Sequence, residues 1–243
     1  MLKLDLKATR IGRLIHEFGM WTSGLYLLDR LGSRWFTPLR ARSYRIVAQP
    51  VQPAPRLPQS RAKRFTWREI APGDPALAAL PVSRLTRAFR FDQGAHCLGL
   101  FRGDELAGYI WLRLGDYRED EVRVRFVPEP RGTAAWDFDA YVFPAYRMGT
   151  AFAALWDAAD AFLRARGIRH SLSRIAATNL ASLRSHAKLG TVELGGLSVL
   201  SLWRLQLCFS DLPEGPRVSL SISHRPTFVC RVPAAPPVEP GQG

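Results

Sequence analysis

The sequence predicts an α/β protein of the α+β kind, with strands and helices intermixed along one chain behind a helical N-terminal extension. Three observations predict it. Four prolines fall within residues 50–58 and set the first part of the chain apart. Residues 96–101 and 106–114 read as paired strands around a Gly103-Asp104 turn. Residues 150–166 form the strongest helical pattern, follow a strand directly, and stop at Gly167.

In the extension, Leu4, Ala8, Ile11, Leu14, Ile15 and Phe18 recur at helical spacing, with Lys3, Arg10, Arg13 and Glu17 on the other side of the wheel. A second apolar cluster runs from Trp21 to Leu31, and a strand is expected over 44–47. Beyond the Pro-rich segment, 65–70 alternates like a strand, and 75–80 and 83–91 read as helices. After the hairpin, 122–127 alternates apolar residues with Arg, and 138–143 is a strand ending at Pro144. The helix over 150–166 places Phe152, Leu155, Trp156, Ala159, Phe162 and Leu163 on one face. A strand over 171–177, a short helix over 181–189 and one long strand over 197–209 follow. Further β structure is expected at 218–222 and 228–232, with a Pro-rich tail from 233. The expected division is an extension and linker over 1–62, a catalytic body over 63–210, and a β extension with tail over 211–243.

Composition narrows the function classes. Hydrophobic residues make up 47% of the 243-residue chain, enough for a sizeable core and too many for wholesale disorder. Its apolar runs are broken well before the ~20 residues that cross a bilayer, and Asp5, His16 and Glu17 interrupt any signal-peptide pattern. Cys97, Cys208 and Cys230 are odd in number and far apart, which suits buried filler in a reducing cytoplasm rather than a metal site or a disulfide framework. Of the formal net charge of +13, residues 1–64 carry +10. The basic character therefore belongs to the extension. Three partners fit that segment: the rest of the protein or a second subunit, as in a homodimer; an anionic membrane surface met through residues 1–45; and nucleic acid, for which no recognised motif is present.

The stretch from Tyr141 to Ala151 carries the chemistry. It places a strand, a short turn with Gly149 and a helix start in direct succession. Main-chain N–H groups at such a start, with the helix dipole behind them, hold a diphosphate. Gly149 lets that backbone come close, and Ala151 leaves room beside it.

Here the chain resembles the GCN5-related N-acetyltransferase (GNAT) superfamily, over about residues 63–209. The family's fourth strand ends in a V-x-P-like step followed by Q/R-x-x-G-x-G/A. Val142, Pro144, Arg147, Gly149 and Ala151 match this with one residue missing between Arg147 and Gly149; counted back from Gly149, Tyr146 takes the Q/R place. A second family motif, N-x-x-A/S with Tyr or His seven residues after the Asn and Gly eleven after it, is met by Asn179, Ser182, His186 and Gly190, with Thr191 where an aromatic is usual.

The resemblance implies a mixed, mostly antiparallel twisted sheet with splayed strands four and five and flanking helices. It implies acetyl-CoA, or another acyl-CoA, as co-substrate, with no metal. Val142, Tyr146, Arg147, Met148, Gly149, Thr150, Ala151 and Asn179 would bind it, and the Val142 N–H would polarise the thioester carbonyl. Asn179 either touches the CoA arm or caps the next helix. His186 stands where the family often has a Tyr that protonates the departing thiolate; it either does so or simply packs. Asp137 and Asp139, two apart on a strand, share a face on which one of them could serve as general base; equally, they face solvent or pair with Arg123 or Arg125. The implied enzyme is a cytoplasmic acyltransferase with a small-molecule or sugar amine acceptor, peripheral to a membrane if the extension docks there. The alternative is a non-catalytic protein of this fold whose extension docks on a membrane or a protein partner.

Overall fold

The computed structural model describes residues 10–35 and 38–233; Leu4, Ala8, Phe36 and the Pro-rich tail beyond Pro233 lie outside them. In chain order the elements begin with α1 (Arg10–Trp35), β1 (Leu39–Pro50), α2 (Gln59–Ala62), β2 (Thr66–Ile70), a 3-10 turn (Pro75–Ala79), α3 (Arg84–Asp92), β3 (His96–Arg102) and β4 (Glu105–Leu114). There follow β5 (Tyr117–Arg118), β6 (Arg125–Glu129), β7 (Ala134–Val142), a 3-10 turn (Pro144–Tyr146), α4 (Ala151–Arg164), β8 (His170–Ala176) and α5 (Leu180–Ala187). The chain closes with β9 (Val192–Leu202), β10 (Leu205–Ser210), β11 (Val218–Ser221) and β12 (Thr227–Arg231). This is the mixed α+β fold, mostly antiparallel in its sheet and flanked by helices, that the sequence predicts.

The chain divides into two compact units. One gathers the N-terminal residues to Gln49 with 117–127 and 173–229; the other gathers 50–116, 128–172 and the residues from Cys230. Strand β8 contributes to both.

In the first unit β1 runs antiparallel to β9 from Leu39↔Leu202 to Ala48↔Val192, β9 pairs with β10, and β10 with the edge strand β11. Helix α1 breaks at Gly19 (φ 77°, ψ 163°) and then packs on this sheet. The Trp21 indole N–H donates to Ser198 Oγ at 3.0 Å, its ring meets Phe209 edge-on at 5.5 Å, and Asp29 accepts from the Ala41 N–H at 2.9 Å. Residues 39–48, part of the extension expected over 1–62, belong to this sheet: an extended backbone must pair its N–H and C=O groups, and theirs pair with β9, far along the chain. Likewise β11, expected to begin a separate C-terminal extension, pairs with β10.

The single strand expected over 197–209 is a hairpin. Leu202 pairs with Leu205 across a two-residue turn whose first residue, Trp203, has φ 51°. That position usually holds Gly, so no turn residue marks it in the sequence. Of the strand expected over 122–127 only residues 125–127 are strand, the start of β6; before them the chain turns, with the Val124 N–H returning to the Val122 carbonyl.

In the second unit β2, β3, β4 and β7 lie side by side and antiparallel. β3 and β4 are buried almost throughout, which suits their near-continuous apolar sequences. Leu98, Leu100, Ile110, Trp111, Leu155, Trp156 and Leu163 are buried on this sheet and on α4, each contributing on the order of 1.5–3 kcal/mol. The Pro-rich segment is irregular, bending at residues 53–54 and 56–57, and is held in place: Asp157 of α4 accepts from the Arg56 and Leu57 N–H groups at 2.8 and 3.0 Å, and Asp160 pairs with the Arg56 guanidinium.

Among the described residues no helix is long and apolar enough to cross a membrane. The three cysteines are free and buried, as filler would be.

Candidate functional site

The site residues on the second unit are set by an irregularity in β7. Tyr109 pairs with Tyr141 and Trp111 with Phe138, so Asp139 and Ala140 together oppose Ile110. This is a bulge, and Asp139 stands at φ 56° within it. The alternation that would have put Asp137 and Asp139 on one face is broken, and the two carboxylates have separate partners. Asp137 is buried and accepts from Ser171 Oγ at 2.6 Å. Asp139 accepts from Arg90 at 2.6 Å and from the Tyr109 hydroxyl at 3.2 Å. Arg90 is buried between the rings of Trp111 and Phe138, each 5.2 Å away. Burial, with Asp139 beside it, holds the Tyr109 phenol well above its usual range, so it is a neutral donor. Arg123, the expected alternative partner, instead bonds Gln206, Arg204 and Ser221 within the other unit.

Past the bulge, β7 closes against β4 with the Phe143 N–H on the Ala107 carbonyl at 3.0 Å. Alternation then turns the neighbouring Val142 N–H away from β4. Gly108 permits this approach: a Cβ there would lie 2.8 Å from the Tyr141 carbonyl oxygen. The chain next makes a 3-10 turn and enters α4, where Thr150 stands at the N-cap without a side-chain cap bond. The first N–H groups of such a helix have no intrahelical acceptor.

Arg147, though exposed, folds its side chain back on the strand. Its Nε donates to the Val142 carbonyl at 2.9 Å, and its guanidinium lies 5.2 Å over the Tyr141 ring. It braces the strand end. The Tyr146 hydroxyl donates to Glu105 at 2.6 Å, and this bond raises its phenol above the ordinary range. Met148 is fully exposed and Ala151 fully buried.

At Gly149 a Cβ would meet only the Tyr146 carbonyl oxygen, 3.6 Å away. The protein itself thus has room for a side chain there. A groove of about 520 Å³ opens beside the loop, lined by Tyr146, Gly149 and Thr150 together with Arg61, Arg64 and Arg102. These three guanidinium groups give it the charge that phosphates need. Sequence reasoning passed over Arg61, Arg64 and Arg102. The run Arg61-Ala62-Lys63-Arg64 was the available signal. The residues present therefore fit a nucleotide diphosphate: main-chain donors at a helix start, a glycine with clear space, and a cationic rim.

The other motif lies on the first unit. Asn179 Oδ1 accepts from the Ser182 N–H at 3.1 Å and caps α5, the structural one of its two expected roles. His186 is buried, and burial pushes its pKa down to about 4. At neutral pH it is an uncharged imidazole and carries no imidazolium proton for a thiolate. Sequence spacing placed this residue; only its desolvation reveals its charge state.

Comparison with known proteins bears on this arrangement. The family model of the acetyltransferase (GNAT) family matches residues 62–191, more than half of the chain. No curated protein matches. Among solved structures, the chain is similar to a Drosophila protein at 17% identity, covering 68% of this chain and 52% of that one, TM-score 0.47. It is similar at 16% identity to a tandem GNAT protein from the clavulanic acid biosynthesis pathway (63% and 53% covered, TM-score 0.42). It is similar at 17% to a GCN5-related N-acetyltransferase from Sphaerobacter thermophilus (74% and 55%, TM-score 0.42). The chain thus spans little more than half the length of these three proteins.

Proposed function

The chain belongs to the acetyltransferase (GNAT) family, and on that premise we propose that it moves an acetyl group from acetyl-CoA to an amine by direct attack on the thioester. The supporting observation is the loop from Val142 to Ala151: an uncapped helix start, a glycine whose missing side chain no protein atom demands, and a cationic groove beside it. The thioester supplies an activated carbonyl with a good leaving group. The α4 N–H groups and the arginines of the groove hold the diphosphate. The Val142 N–H, directed away from β4, donates to the carbonyl oxygen as charge gathers there.

Asp139 takes the proton of the attacking amine, directly or through one water. Arg90 and Tyr109 hold its carboxylate in place. The departing thiolate needs little help, since a thiol is acidic enough to leave as its anion, and solvent then protonates it. His186, on α5, is buried and neutral and is not assigned this proton. The acceptor is a small-molecule or sugar amine.

A second reading has one observation in its favour. Both side chains cast for proton transfer are engaged within the fold, Asp139 in an ion pair and His186 by burial. A non-catalytic protein that binds acyl-CoA, or a partner, would tolerate this. Two measurements separate the readings. Acetyl-CoA at a hundred times its Kd should stabilise the protein by about 2.7 kcal/mol; no thermal shift would remove the site. Labelled acetyl-CoA offered with amino sugars, polyamines and peptides should give acetylated product; binding without transfer to any amine would leave the non-catalytic reading.

A further inference from the structure

The first unit carries an apolar surface that its own fold leaves open. Register places Phe209 opposite both Ser198 and Val218, and Leu207 opposite both Leu200 and Leu220. These residues share one face of the sheet, with Leu205 and Leu202 two residues further along it. Helix α1 lies on this face and covers only part of it. Thr22, Leu25 and Gly32 turn inward and are buried. Trp21, Leu28 and Leu31, at helical spacing beside that row, face the β10 side, where Trp21 touches Phe209. Beyond the helix the surface stays in water: Leu31 is 58% exposed, and Val218, Leu220 and Ile222 are each 59% exposed. Contiguous apolar surface of this kind marks an interaction site.

Two further features say what covers it. At the β9–β10 hairpin tip, Trp203 is 73% exposed and sits at φ 51°, where Gly is the ordinary choice. A tryptophan at a strained and exposed turn points to use, and Trp belongs at the boundary between water and lipid. The rim is cationic: Arg30 and Arg34 on α1, Arg204 at the hairpin tip and Arg217 at the start of β11 are exposed, and none forms an ion pair among the described residues. A second copy of the chain, packed symmetrically, would set these arginines near their counterparts, which opposes association. An anionic surface would neutralise them.

We infer that this face docks on an anionic lipid surface. The side chains of Leu28, Leu31, Leu205, Leu220 and Trp203 enter the headgroup boundary, while Arg30, Arg34, Arg204 and Arg217 meet lipid phosphates. The site joins helix α1 to strands nearly two hundred residues away, so it is a property of the folded unit and not of a basic tail.

The test is flotation of the full chain with phosphatidylcholine vesicles made with or without phosphatidylglycerol, at low and high salt. The intact protein should float with the anionic vesicles alone and lose binding as salt rises. Leu220→Glu and Leu31→Glu should each lower partitioning by about tenfold or more, with circular dichroism and Tm reporting that the fold persists. Arg34→Glu combined with Arg204→Glu, surface changes that spare the apolar face, should do the same if either apolar variant fails to fold. Three results would overturn the inference. One is no flotation of the intact protein. Another is a folded Leu220→Glu variant that partitions like the intact protein. The third is a light-scattering mass of twice the chain that Leu220→Glu halves, which would assign the face to a second copy.

Discussion

Gly149→Ala separates a loop built to hold a ligand from one built merely to turn. In the structure the added methyl would meet nothing nearer than the Tyr146 carbonyl oxygen at 3.6 Å, an ordinary van der Waals contact, and the residue does not stand at positive φ. Folding should therefore not suffer. Losing the freedom of glycine in the unfolded chain should raise stability by about 0.4–1 kcal/mol. Binding is another matter. A diphosphate held by main-chain N–H groups approaches to hydrogen-bond distance, and a methyl projecting there costs on the order of 1–3 kcal/mol in overpacking. That corresponds to about 5- to 150-fold in Kd. Differential scanning fluorimetry without ligand reads the first quantity, and calorimetric titration with acetyl-CoA reads the second. An unchanged Kd would refute the assignment of the loop. A large fall in Tm would refute the claim that the fold has no use for this glycine. Gly108→Ala is the internal contrast: its Cβ would collide with the Tyr141 carbonyl oxygen at 2.8 Å, so this variant should lose stability outright.

Asp139→Asn should lower kcat by about 100-fold or more with the KM for acetyl-CoA nearly unchanged, as steady-state kinetics with a competent amine will show; Tm should fall as well, because the buried Arg90 loses the carboxylate it pairs with. His186 sets a pH dependence. Its folded pKa of about 4 lies below the unfolded value of 6.5, so from pH 6.5 down to 4 only the unfolded chain gains the proton, and stability falls across that window. The loss should approach roughly 3 kcal/mol, and urea titrations at pH 7 and pH 5 should show a smaller difference in His186→Gln. Arg174 pairs through two nitrogens with the fully buried Glu119. Arg174→Met strands that carboxylate and should cost about 3–5 kcal/mol by chemical denaturation, with recovery as Glu119→Gln is added.

Local patterns were legible because they need only neighbours. The 3.6-residue period of α4, the Gly103-Asp104 turn and the succession of strand, glycine turn and helix around Gly149 are each written within about fifteen residues. The same holds for the Asn179 cap, where Ser182 lies three positions on. The order of these pieces carried the family.

What the sequence by itself determined, then, is most of the elements, their order and the strand–turn–helix form of one loop, since dihedral preference and hydrophobic period act over short spans of chain. Tertiary structure alone decided the rest. The bulge at Asp139 depends on how β4 lines up with β7, and the same fold brings up Arg90 to hold that carboxylate from 49 residues away. The charge of His186 follows from desolvation by surrounding residues, a quantity no spacing encodes. Residues 39–48 took their place beside β9 because an extended backbone settles where its hydrogen bonds can be met, and that partner lies at the far end of the chain.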